Sequence, residues 1–121
     1  MFEHIELRVP ARESALTVVR LTTAGAAAQG CPDLEMLEDL KTAVCEACYA
    51  LIRQHFAPEE IRIEYEAGEA FAARISACGA RRETGNRPPD AALCRAVLTA
   101  MVPQVSVEED ERGICSIRLH G

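Results

Sequence analysis

Residues that combine a reactive type with a usable spacing fall in three places in this chain. Glu46 lies inside Leu40-Lys41-Thr42-Ala43-Val44-Cys45-Glu46-Ala47, on a segment whose apolar spacing predicts a helix. A carboxylate there can take a proton from a hydroxyl or a water, or can simply be solvated, or can pair with Arg53 at i+7. Cys45-x-x-Cys48 has the spacing of a redox or metal pair, but it falls mid-helix, where no helix N-terminus stabilises a thiolate. No second Cys-x-x-Cys completes a zinc site, so packing in the core accounts for the pair and no metal residues are assigned. Arg81, Arg82 and Arg87 form a tight basic group that can meet a phosphate or an acidic partner, or can remain solvated charge. His4, His55 and His120 are far apart in sequence and none has a spacing that joins it to a nucleophile.

Several classes are excluded. There is no Gly-x-Ser-x-Gly elbow, no P-loop and no basic-aromatic run. Thirteen basic against nineteen acidic residues give a net charge of −6, which repels a nucleic-acid backbone. No stretch reaches the ~18 apolar residues of a membrane span, and Glu3 and Glu6 interrupt the first apolar run, so no signal peptide is read and a cytoplasmic protein is expected. Six cysteines (Cys31, Cys45, Cys48, Cys78, Cys94 and Cys115) are accordingly expected to be reduced.

The elements that must position these residues follow from periodicity. The 121 residues fit one domain, 1–121, and with 49% hydrophobic but only 4% aromatic residues its core must be aliphatic. Ile5, Leu7 and Val9 alternate with polar residues and stop at Pro10, predicting a half-buried strand. Ala15, Leu16, Val19 and Thr23 change to helical spacing between Ala11 and about Ala28, before Gly30, Cys31 and Pro32 break the chain. Asp33 is placed to cap a long amphipathic helix carrying Leu37, Leu40, Val44, Ala47, Cys48, Leu51 and Ile52, ending near His55. Ile61, Ile63 and Tyr65, a turn at Gly68, and Phe71, Ala73 and Ile75 predict a hairpin. Gly79 to Pro89, with three Arg and little that is apolar, reads as an exposed loop. Asp90 then caps a third helix, Ala91 to Val102, and Val105 and Val107 pair with Ile114 to Leu119 through a turn at Glu109 to Gly113. The order β-α-α-β-β-α-β-β predicts an α+β two-layer sandwich: a mixed, mainly antiparallel five-stranded sheet with three helices on one face. Its other face is left to solvent or to a partner, and a homodimer is one way to cover it.

The Leu40 to Ala47 segment, together with this element order, resembles the bacterial anti-sigma-factor serine kinases of the GHKL, or histidine-kinase-like ATPase, superfamily, over nearly the full length of the chain. In that family the helix carries a Glu and, four residues on, an Asn that addresses magnesium. The resemblance sets Glu46 at the first position, as a general base or its vestige, and Ala50 at the second. The Asp that holds adenine would stand at Ala77, and of the two glycines after it only Gly79 is present, with Arg81 at the place of the second. The Gly-x-Gly that wraps the phosphates is replaced by Asp90-Ala91-Ala92-Leu93-Cys94, which has no glycine. Three lost groups together take away several kcal/mol of binding.

Two functions of different class follow from the resemblance. One is an anti-sigma-like binding module that holds a sigma factor or an anti-anti-sigma antagonist near Arg81, Arg82 and Arg87, with no cofactor. The other is an enzyme, a divergent serine kinase that uses ATP and magnesium with Glu46 as base. Outside the resemblance, an unrelated α/β sandwich with a cysteine metal site is the further alternative. Neither nucleic acid nor membrane is expected as a partner.

Overall fold

The computed structural model describes residues 3–29, 33–67 and 70–121, so the breaks expected at Gly30, Cys31, Pro32 and Gly68 lie outside the described residues. Period-two alternation forms the sheet. Leu7, Ile63, Ile75, Ile117 and Val107 stand in one cross-strand row on the helix side, and the next row, Arg8, Arg62, Ser76, Ser116 and Glu108, faces away. Five strands result: β1 (Glu3–Pro10), β2 (Phe56–Ala67), β3 (Ala72–Glu83), β4 (Gln104–Asp110) and β5 (Gly113–His120). They lie in the order β1-β2-β3-β5-β4, and each pairing described is antiparallel, so the parallel component allowed for in a mixed sheet is not seen.

Three helices cover the apolar face. A 3₁₀ turn (Glu13–Ala15) leads into α1 (Leu16–Ala27); α2 runs Leu34–Ile52 and α3 Ala91–Thr99. Asp33 caps α2 as its residue type requires, accepting a hydrogen bond from the Glu35 N–H at 2.9 Å. Leu40, Val44, Ala47, Cys48 and Leu51 recur at helical spacing and are all fully buried. Small residues at Ala43, Ala47 and Cys48 let this helix lie close to the strands and to α1.

Several boundaries differ from the sequence expectation: α1 begins at Leu16 instead of Ala11, α2 ends at Ile52 short of His55, and β2 opens at Phe56 ahead of Ile61. β3 does not end near Cys78 but continues to Glu83, pairing with Phe56, Ala57 and Pro58 at the start of β2. The chain gets past its glycine through a bulge. The register shifts between Pro58 and Glu60, and Gly79 takes φ +82°, where a Cβ would lie 2.7 Å from the Glu59 carboxylate. The third helix stops at Thr99 instead of Val102, with the Met101 and Val102 N–H groups both donating to the Leu98 carbonyl.

One polar pair is sealed in the core. Thr23 Oγ1 donates to the Val19 carbonyl and lies 2.7 Å from the Tyr65 hydroxyl, which therefore donates to Thr23. Both residues are fully buried, and desolvation pushes the Tyr65 phenol far above its ordinary range, so it stays neutral. Thr23→Val leaves that hydroxyl orphaned and is expected to cost about 1–3 kcal/mol, whereas Tyr65→Phe leaves Thr23 still bonded to Val19 and costs about 0.5–1.5 kcal/mol. Urea unfolding midpoints decide the order; a larger loss in Tyr65→Phe would contradict the assignment of donors.

Candidate functional site

Where the second half of α2 passes α3, the helices leave a cavity of about 480 Å³. Glu46, Tyr49 and Ala50 line it from α2 and Arg53 from just past its end, Pro88, Pro89 and Asp90 from the connecting segment, and Leu93, Cys94 and Val97 from α3. Leu93 and Val97 are 62% and 45% exposed, so the lip of the cavity is apolar and open to water.

The floor is built from hydrogen bonds. Gln54, 2% exposed just beyond α2, pairs with Ile114 as a strand would: its Nε2 donates to the Ile114 carbonyl at 2.9 Å and its Oε1 accepts from the Ile114 N–H at 2.8 Å. Gly113 has φ +129°, and a Cβ there would come within 2.5 Å of Gln54 Oε1. Arg81 reinforces the same corner. Its guanidinium donates to the Phe56 and Ile114 carbonyls at 3.0 and 3.3 Å and pairs with Asp110 at 3.2 Å. Gln54 gave no signal in the sequence, because a lone Gln after a helix has no periodicity or motif to mark it.

The segment between β3 and α3 is tied to the end of α2. Thr84 Oγ1 donates to the Gln54 carbonyl at 2.8 Å, the Thr84 N–H donates to the His55 carbonyl, and His55 Nδ1 lies 3.0 Å from the Asn86 carbonyl. These bonds carry Arg87 and the two prolines to the cavity wall.

The positions singled out in the sequence are only partly brought together. Glu46, Ala50, Arg87 and the α3 start meet at the cavity, whereas Ala77, Gly79, Arg81 and Arg82 are not among its lining residues. Ala77 sits opposite Ile61 in the β2–β3 ladder. Arg82 is exposed, while the Arg81 side chain is only 11% exposed and is committed to its carbonyls and to Asp110. Arg53 does not pair with Glu46; it holds Glu13 at 2.7 Å and stacks over the Tyr49 ring at 3.9 Å. Among the described residues no three of His, Cys, Asp or Glu are grouped to hold a metal ion, and burial, with Cys45 nearby, pushes the Cys48 thiol up to about 12.

Magnesium triphosphate does not fit these residues. Ala50 offers no oxygen to a metal. At the start of α3 the N–H of Leu93 is already held by the Asp90 carboxylate at 3.1 Å, so the helix carries its own anion where a phosphate would sit. Glu46 adds a second negative group to the same cavity.

A five-stranded antiparallel sheet with three helices on one face, and a cavity between the second and third of them, is the architecture of the histidine-kinase-like ATPase fold. The RsbU and RsbW domains of a Mycobacterium tuberculosis protein superpose on 98% of this chain and 32% of theirs, with a TM-score of 0.75 and 15% identity, a likeness of fold. In sequence the chain is 37% identical over 60 residues to the serine-protein kinase RsbW of Bacillus cereus (strain AH187), of Bacillus thuringiensis (strain Al Hakam) and of Bacillus mycoides (strain KBAB4). Those matches cover 50% of this chain and 37% of each relative, so the chain spans well under half the length of the relatives it matches. No protein-family model matches the chain. The resemblance to the anti-sigma-factor serine kinases is thus borne out, in sequence over half of the chain and in fold over nearly all of it.

Two outcomes test this geometry. Burial, and then the Glu46 charge, raise the Cys94 thiol above its ordinary value. Glu46→Gln removes a charge that disfavours the thiolate, so Cys94 is expected to alkylate faster at fixed pH, as read by mass spectrometry; an unchanged rate would separate the two side chains. Gln54→Leu strands the buried Ile114 N–H and is expected to lower stability by about 1–3 kcal/mol in urea unfolding.

Proposed function

We propose that this chain is an anti-sigma-factor-like regulator that works by binding other proteins, with weak or no affinity for ATP. The observation that carries the reading is the Asp90 carboxylate on the Leu93 N–H, with Ala50 across the cavity. Together they remove the phosphate cradle and the metal ligand while leaving the cavity itself.

The partner, on this reading, is a sigma factor or an anti-anti-sigma antagonist, and the place is the cytoplasm. The contact runs over the apolar lip at Leu93 and Val97 and the exposed guanidiniums of Arg82 and Arg87. Arg81 supports it from beneath, since its own donors are taken. A homodimer over the outer sheet face belongs to the same reading and would be polar, because Glu6, Arg8, Arg62, Glu64, Arg74 and Arg118 face that way.

The kinase alternative rests on Glu46, which does line the cavity, and on the relatives' being named serine-protein kinases. It requires label transfer from ATP to a partner that Glu46→Gln abolishes.

Thermal unfolding separates the two. With about 1 mM Mg-ATP the Tm is expected to stay within about 1 °C, since a ligand well below its Kd adds almost nothing to stability. A rise of several degrees would sink the binding-module reading.

A further inference from the structure

A second groove, lined by other residues of α3 than those at the cavity, lies along the sheet edge formed by β4, with a volume of about 320 Å³. Arg95 and Thr99 reach it from α3, Gln104 and Ser106 from β4, and Arg118 and His120 from β5. In a chain with a net charge of −6, no acidic side chain lines this groove. Among the described residues neither Arg95, Arg118 nor His120 takes part in an ion pair. Arg118 also stands directly opposite Arg74 across β3 and β5; Glu64, opposite Arg74 on β2, offsets that like-charge pair from the far side, and an incoming anion would do so from the β4 side.

The backbone points the same way. β4 ends the sheet, and an edge strand offers unpaired N–H and C=O groups to any extended segment. Charge guards only its far half, where Glu108, Glu109 and Asp110 repel an acidic strand. The near half, Gln104, Val105 and Ser106, is uncharged and is the half that borders the arginines. Gln104 and Ser106 pair with His120 and Arg118, so they share the outer face, while Val105 is buried on the helix side, where α3 carries Arg95.

We propose that the Gln104 to Ser106 edge of β4 docks an extended acidic segment of a partner protein. The segment pairs with the β4 backbone and sets carboxylates from one face of the added strand against Arg118 and from the other against Arg95. Backbone pairing supplies affinity, and the two guanidiniums supply the choice of sequence. The proposal stands apart from the nucleotide question, and either can fail alone.

The experiment is fluorescence anisotropy of the full chain with a short labelled peptide of repeating valine-glutamate-glutamate, whose adjacent glutamates present carboxylates on both faces of an added strand. Saturable binding that weakens with salt is expected, falling roughly tenfold for each of Arg95→Glu and Arg118→Glu, the size of one lost charge-assisted contact. Arg95→Gln and Arg118→Gln, which remove charge without reversing it, should fall less, and circular dichroism verifies that all four variants are folded. The same peptide N-methylated at alternate amides keeps its charge but cannot add as a strand, so it should bind far more weakly. Equal binding of the N-methylated peptide, equal binding by the arginine variants, displacement by inorganic phosphate at matched ionic strength, or no binding at all would each overturn the proposal.

Discussion

The sheet and the other two helices are packed around one buried face of α2. Its stripe of Leu40, Val44, Cys48 and Leu51 lies over the middle of the sheet, and the helix touches α1, α3, β2, β3 and β5. Each large aliphatic side chain hidden there contributes about 1.5–3 kcal/mol, so the helix is fixed by its buried face before anything is asked of its exposed one. Glu46, on that exposed face, is therefore free to vary in role while its position stays constant. The outer face of the sheet contributes no comparable apolar layer. It is covered by Arg, Glu and Ser, and its polar groups are not all satisfied: Arg62 Nε and Ser116 Oγ are buried there without a hydrogen-bond partner, although Arg62 lies 3.5 Å from Glu64.

A cavity can outlast the chemistry that a fold usually places in it. The space between α2 and α3 is set by backbone geometry and by the Gln54 clasp on Ile114. The affinity of such a space for a nucleotide depends on a handful of side chains and free N–H groups at its rim. Asp90 shows how one residue changes the outcome: as an N-cap it secures α3, and by doing so it fills the positive end of the helix with its own charge. Fold and function are thus argued from different residues.

Much of this was legible in the sequence. Asp33 and Asp90 announce their helices because a capping carboxylate needs only local geometry, and the rows through Ile61, Ile63 and Tyr65 read directly as a buried face. The extension of β3 to Glu83 was not legible, because glycine and arginine lack alternation and only pairing with Phe56 to Pro58 reveals the strand. The structural role of Arg81 is hidden in the sequence for the same reason: that it holds the Phe56 and Ile114 carbonyls depends on strands distant in sequence. The arginines at the β4 edge were missed because Arg95, in α3, and Arg118, in β5, come together only through the fold. The shared element order, by contrast, is carried by periodicity, which needs no knowledge of what lies across the sheet.

The sheet's charged outer side has a bearing on how this molecule can keep company. A surface made of salt-bridging groups and bare of oil gives any neighbour that settles on it a seam filled with water and ions. Contacts of that kind weaken as ionic strength rises. The rim beside Leu93 and Val97 is apolar instead, so added salt would act in opposite senses on contacts made at the two sides of this small sandwich.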